Sequence, residues 1–366
     1  MKKILFLASH RMGRSPNQRY RFEQYLKFLE KHGFKSELSH LISEDQDKML
    51  YRRGDHFNKA KFVRNCYRIR RKDLARINDF DIVFVCREAL MTRSTYFEKK
   101  FAASNAKMIF DFDDAIWLSN VSDANKRWKW MKNPKKTSFL IGISDLVVAG
   151  NEYLANYARG FNSNVHIIPS TINTDEYQVK QDGSKDERIC IGWTGSTTTI
   201  QHFRYAVPFL KRIKEKFEDR VCFTVISDEI FKDPELEVRN IAWNKDSESQ
   251  DLGQIDLGIM PLPYDEWTKG KCGMKGLQYM AMGIPTVMSP VGVNTDIIEH
   301  GVNGMLASGA DEWVEQLSKL IEDADLRRRI GTEARRTVEE KYSVQANQSK
   351  YLQAFQEVLG LKQDKE

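Results

Sequence analysis

The sequence predicts an α/β protein built as two layered domains, each a parallel sheet covered by helices. Short, almost wholly apolar runs alternate with helical patterns along most of the chain. Runs that apolar are buried on both faces, as in a parallel sheet. The alternation stops over residues 171–187, which are polar like a linker, and restarts at residue 188. A chain of 366 residues is also too long for one ordinary core and suits two of roughly 150–200 residues. Hydrophobic residues make up 41%, enough for both cores and too many for wholesale disorder. The expected organisation is a domain over 1–170, a linker over 171–187 and a domain over 188–343, with a cleft for a ligand between the two domains.

In the first domain, residues 3–8 read as a strand and 17–32 as an amphipathic helix ended by Gly33. Residues 81–86, 107–112, 146–149 and 165–169 are further short apolar strands. In the second domain the strands fall at 188–193, 221–226, 256–260 and 286–289. Helices are expected over 201–216 and 275–282, and beyond residue 311 the pattern is helical nearly to the end.

A net charge of +6 conceals an asymmetry. Residues 1–180 hold 33 Lys and Arg against 20 Asp and Glu, net +13, whereas residues 181–366 hold 24 against 31, net −7. No apolar run approaches the ~20 residues of a membrane span. The apolar start is too short for a signal peptide and is followed by His10, Arg11 and Arg14, so it reads as a buried strand. Five scattered cysteines, with no C-x-x-C pair, argue against a disulfide framework and for a reducing, cytoplasmic setting. The seven histidines show no metal-ligand spacing, so no metal site is expected.

The most informative stretch is KGKCGMKGLQYMAMGIPTVMS at 269–289. A loop with Gly and Lys feeds a short helix, and a Gly-Ile-Pro stop leads into a buried strand. A helix start offers backbone N–H groups and a partial positive charge, and Lys271 and Lys275 add two cations. Together they suit a diphosphate; an ordinary αβ unit with surface lysines has the same pattern. The segment QYMAMGIP at 278–285 resembles the donor-binding motif of GT-B glycosyltransferases, in the large retaining family 4, also called glycosyl transferases group 1. SPVGVN at 289–294, GVNG at 301–304, Trp313 and residues 327–336 follow in the family's order, and IGWTGS at 191–196 and DLGIMP at 256–261 precede it. The likeness is strong over 188–345. It is weaker over 1–170, where IIP at 167–169 and TDEY at 174–177 match the usual approach to the linker.

The resemblance implies two Rossmann-like α/β/α domains facing each other across a cleft, with the final helix, within 344–366, packing back onto the first domain. It further implies a glycosyltransferase acting in cell-envelope or exopolysaccharide synthesis. Such an enzyme moves a sugar from a nucleotide-sugar to a glycan or lipid-linked acceptor with retention, without an essential metal and without a cofactor beyond its substrate. The donor site this implies comprises Arg14, Gly195, Ser196, Thr197, Lys271, Cys272, Gly273, Met274, Lys275 and Gln278. Two glutamates of the family motif are replaced, by Gly270 and Gln278. In the family the second glutamate binds the ribose hydroxyls; Gln278 pairs with a hydroxyl through its amide instead. The family's diphosphate-gripping Arg and Lys are not evident in the loop GSTTT at 195–199, so hydroxyls, backbone amides, Lys271 and Lys275 serve in their place. Two other readings remain: a nucleotide-sugar epimerase on the same fold, and a degenerate module that binds glycan or nucleotide without turnover.

In the first domain, MIFDFDDAIW at 108–117 ends a strand in Asp111, Asp113 and Asp114. Clustered carboxylates at a strand's C-terminal end mark a candidate site, because their repulsion has to be compensated. By the resemblance, Asp113 falls where many members carry a histidine facing the sugar, so Asp113 and Asp114 are the catalytic candidates. Rival readings are the D-x-D metal motif of GT-A enzymes and acids that cap a following helix. RMGRSPNQRYR at 11–21 follows the first strand, with Arg14, Arg19 and Arg21 as anion-binding candidates. Residues 52–76 hold ten Lys and Arg interleaved with aromatics, and 126–136 form a second basic-aromatic cluster. Such segments suit an anionic membrane surface or an anionic acceptor. No nucleic-acid partner is expected, since no recognised module accompanies the charge.

Overall fold

The computed structural model describes residues 1–50, 56–118, 133–180 and 188–361. The chain divides into two compact units, Met1–Ser170 with Asn347–Glu366, and Thr171–Ala346. The first contains strands β1 (Lys2–His10), β2 (Phe34–Ile42), β3 (Ile82–Cys86), β4 (Lys107–Phe112), β5 (Leu146–Ala149) and β6 (Val165–Ile167). All pair in parallel, in the order β2-β1-β3-β4-β5-β6. Residues Ile4 to Ala8 of β1 and Ile82 to Val85 of β3 are fully buried, as their unbroken apolar runs require. Phe6 stacks on Phe22 at 4.7 Å and meets Phe84 at 5.0 Å. Tyr351 and Phe355, from the last helix, complete this core against Tyr25 and Phe84.

Residues 17–32 are not one helix. They form Pro16–Arg19, a 3-10 turn at Glu23–Tyr25 and Leu26–Lys31. Tyr20, Arg21 and Phe22 are all buried. A regular helix turns 100° per residue and cannot aim three consecutive side chains inward, so the path breaks where the sequence needs all three inside.

The second unit contains β7 (Ile189–Thr194), β8 (Val221–Ser227), β9 (Val238–Ala242), β10 (Leu257–Met260), β11 (Thr286–Met288) and β12 (Met305–Leu306), again all parallel, in the order β12-β11-β10-β7-β8-β9. The helices Ile200–Phe217 and Gly309–Glu322 pack on it, with Phe209 stacked on Trp313 at 4.6 Å. Residues 171–180, expected as linker, are built into this unit. Ile172 exchanges backbone hydrogen bonds with Tyr342 and Val344, and Lys180 pairs with Asp256. Tyr177 is buried. Residues 181–187 of that stretch lie outside the described residues.

Strands β2, β9 and β12, unexpected from sequence, are edge strands. An edge strand is covered less completely and needs no continuous apolar run, so polar residues such as Lys35, Glu37, Arg239 and Asn240 interrupt it. Among the described residues, no helix is long and apolar enough to cross a membrane.

Candidate functional site

In the second sheet the chain runs from β7 outward through β8 to β9, then returns beside β7 as β10 and continues the other way. That reversal makes the carboxyl ends of β7 and β10 a topological switch point, the place where open parallel sheets hold ligands. Residues 195–199 leave β7 there, and residues 261–273 leave β10. Gly195 lies against the Trp193 indole, where a Cβ would collide with the ring. The hydroxyls predicted to serve a diphosphate are partly engaged. Thr197 donates its backbone N–H to Asp228 Oδ1 at 2.6 Å and its hydroxyl to the same oxygen at 3.1 Å. Ser196 Oγ lies 2.9 Å from Thr198 Oγ1. Asp228 carries no signal in the sequence beyond its place just after a buried strand.

After β10, the helix Met274–Ala281 starts at Gly273, whose φ of +69° is left-handed and whose missing Cβ leaves room for Ile297. The first turn of a helix leaves its N–H groups outside the intrahelical ladder. Lys271 Nζ sits 3.5 Å from the Trp267 ring centroid, and Lys275 Nζ 5.5 Å from that of Trp193. Cys272 is buried and Met274 half-buried. His202 packs edge-on to Trp267. Burial first, then the charges of Lys275 and Lys271, pull its imidazole down to about 3, so it is neutral at physiological pH. Gln278 is buried, and its Nε2 donates to the Tyr177 hydroxyl at 3.2 Å. Tyr177 donates to Glu248 Oε2 at 2.9 Å, and Trp243 Nε1 donates to Glu248 Oε1 at 2.8 Å. Glu248 carries no signal in the sequence and Tyr177 reads there only as part of the approach to the linker, because the contacts that join Tyr177 to Gln278 and to Glu248 span 101 and 71 residues.

The first unit has its own switch point, between β1 and β3. Arg14 and Arg11 there both donate to Asp47 Oδ2, at 2.5 and 3.1 Å. Burial pushes the Asp47 carboxyl up, but the bonds and charges of Arg14, His10 and Arg11 outweigh it and hold the group below its usual range. Arg21, expected to meet an external anion, is fully buried instead and is spent on Asp111. Its Nη2 lies 2.5 Å from Asp111 Oδ1, and its Nη1 donates to the Ile168 carbonyl. An isolated carboxylate in this core would be prohibitive, so the strand's first acid recruits an internal cation.

Asp113 and Asp114 point elsewhere, to Arg87 at 2.7 and 4.0 Å. Arg87, also missed from sequence, follows β3 with φ +64°, unusual for a residue with a side chain. Desolvation works against its charge, and Asp113 and Asp114 more than reverse that, keeping the guanidinium protonated. Asp111 and Asp113 thus engage two different arginines, unlike the converging carboxylates of a D-x-D motif.

The basic segments are sorted by burial. Within the helix His56–Ala75, Arg70 is internal, bonded to Asp73, Ser39 and the carbonyls of Ala8 and Ala89. Lys61, Arg64, Arg68, Arg71 and Lys72 are exposed, with Val63 and Tyr67 among them. Residues 51–55 and most of 126–136 lie outside the described residues; Lys136 is buried against Glu88 and Glu98 and does not belong to a surface cluster.

Residues 188–323 match the family described as glycosyl transferases group 1. A stretch of 93 residues is 31% identical to the N-acetyl-alpha-D-glucosaminyl L-malate synthase of Bacillus anthracis. That match covers 25% of this chain and 24% of the relative, so it spans about a quarter of the curated protein's length. Sucrose-phosphate synthase of Thermosynechococcus elongatus superposes with a TM-score of 0.73 over 98% of this chain and 100% of that one, at 11% identity. HepE of Anabaena, in complex with UDP and glucose, gives 0.66 over 97% and 99%, at 14% identity. The fold is GT-B, with two Rossmann-like α/β units.

Proposed function

From a glycosyl transferases group 1 domain at residues 188–323 on a GT-B fold, we propose that this protein is a glycosyltransferase. It takes a sugar from a nucleotide-sugar held by the second unit and passes it to a glycan or lipid-linked acceptor at the first. The observation that carries this reading is the convergence of the Gly273 helix start, Lys271 and Lys275 at the switch point of the second sheet. Cleavage of the anomeric C–O bond leaves negative charge on the departing diphosphate. A helix N-terminus, equivalent to roughly half a positive charge, and two lysines stabilise that charge as it develops. His202 stays neutral beside them, and Thr197 is turned toward Asp228, so the helix and lysines carry most of this role.

Gln278 holds the ribose. Asp113, with Asp114 beside it, serves the sugar or the acceptor hydroxyl, and Arg87 fixes the orientation of that pair. The transfer retains configuration and needs no metal, in line with the family resemblance. The complex of HepE with UDP and glucose supports a nucleotide-sugar as donor. We place the reaction in cell-envelope or exopolysaccharide synthesis, with the exposed basic face of the helix His56–Ala75 resting on an anionic membrane surface.

Melting the protein with a panel of nucleotide-sugars tests the reading, since a true donor raises the melting temperature by mass action. Slow release of free nucleotide by the matching sugar is the expected result. Interconversion of the sugar points to an epimerase, and a melting shift with neither reaction points to a binding module. Lys271→Ala is expected to lower turnover on the order of 10- to 100-fold; unchanged hydrolysis and transfer would remove Lys271 from the site.

A further inference from the structure

We infer that Glu248 is a positioning residue for nucleotide recognition, acting through Tyr177 to fix which end of the Gln278 amide faces the ribose. This rests on the reading of Gln278 as the ribose ligand. Three buried groups form a directed chain. Glu248 accepts from Trp243 Nε1 at one oxygen and from the Tyr177 hydroxyl at the other. A carboxylate only accepts, so the single phenolic proton is committed to it. The Tyr177 oxygen then has lone pairs to offer and no proton, and Gln278 meets it with its NH2 group. The amide carbonyl is thereby turned to the opposite end. An amide has one accepting and one donating end, and burial makes the wrong orientation costly.

The polarity matters because a ribose hydroxyl that donates needs an acceptor. A carboxylate at residue 278 offers an acceptor whichever way it rotates; a glutamine does so only when something holds it. The backbone carrying Tyr177 is held as firmly. Arg335 Nη1 donates to the Tyr177 carbonyl at 2.6 Å and to the Ala281 carbonyl at the end of the helix that bears Gln278. Its Nη2 reaches the Thr174 carbonyl at 3.3 Å. The segment 174–177 and that helix are clamped by one guanidinium, which keeps the hydroxyl and the amide in register.

The test is titration calorimetry of the full chain with UDP, GDP and ADP and with the 2′-deoxy and 3′-deoxy counterparts of whichever binds. The wild-type protein is expected to favour the ribonucleotide about tenfold over a deoxy form, the value of one well-oriented hydrogen bond. Tyr177→Phe is expected to bring that ratio close to one while leaving deoxynucleotide affinity intact. Adding Gln278→Glu to Tyr177→Phe is expected to restore the preference, because a carboxylate needs no orienting hydroxyl. Glu248→Gln, which lets the phenolic proton turn either way, reduces the ratio too, and serves if Tyr177→Phe does not fold. An unchanged ratio in a folded variant overturns the positioning role alone. A wild-type ratio of one overturns the assignment of Gln278 to the ribose, and no binding by any of the three nucleotides overturns the donor site itself.

Discussion

At the scale of single residues, the charged groups that matter most are those whose partners lie far away in sequence. His202 illustrates the energetic consequence. Its folded value of about 3 lies well below the ordinary 6.5. Between those values the unfolded chain takes up a proton that the folded chain refuses, so stability falls as pH drops through that window. The slope is about 1.4 kcal/mol per pH unit, and from pH 7 to pH 5 the loss is about 2 kcal/mol. Urea unfolding at both pH values is expected to show a loss in the wild type that exceeds the loss in His202→Gln by about that amount; equal losses would show that His202 is not held neutral. The sequence placed Lys271 and Lys275 beside a helix start, because a local pattern of glycine and lysine suffices for that. It did not reveal His202, Arg87, Glu248 or the internal pairing of Arg21, since each depends on a neighbour brought in by the sheet. Arg21 reads as an anion ligand because it is a cation in the segment after β1, and it does bind an anion, the internal carboxylate of Asp111.

Among the elements, legibility followed burial. Central strands such as β1 and β3 have unbroken apolar runs and are evident, whereas edge strands β2 and β9 are diluted by polar residues and β12, only Met305–Leu306, is too short to stand out. The helix Met274–Ala281 was evident too, and its start at Gly273 gives a test that separates backbone strain from site geometry. Gly273 and Gly301 share left-handed φ values of +69° and +79°. A Cβ at Gly301 meets nothing within 4 Å, whereas one at Gly273 runs into Ile297. Gly301→Ala is therefore expected to cost about 1–2 kcal/mol, the conformational term alone. Gly273→Ala adds an overpacking cost of about 1–3 kcal/mol and displaces the helix start. Denaturant unfolding of the two variants, with nucleotide titration of each, is expected to show nucleotide affinity lost only in Gly273→Ala. Equal affinity in both would detach the helix start from donor binding.

For the whole molecule, the separation of charge carries the final prediction. The proposed donor site lies in the −7 half, so the phosphate contacts proposed for it are local, from a helix end and two lysines. The +13 half keeps part of its excess inside: Arg21, Arg70 and Lys136 are buried. What remains on the helix His56–Ala75 is one surface where Lys61, Arg64, Arg68, Arg71 and Lys72 surround Val63 and Tyr67. Each cation near an anionic bilayer contributes about 1 kcal/mol. Five of them give reversible binding that salt weakens, because the Debye length shrinks to about 8 Å at physiological ionic strength. Sedimentation with vesicles rich in phosphatidylserine is expected to recruit the protein at low salt and release it as salt rises. Vesicles of neutral lipid should leave it in solution. Arg64→Glu with Arg68→Glu and Arg71→Glu is expected to abolish recruitment without altering hydrolysis of a soluble donor, since none of the three lies at either switch point. Failure of anionic vesicles to recruit the wild type at low salt would remove the membrane from this proposal and leave the transfer reaction as it stands.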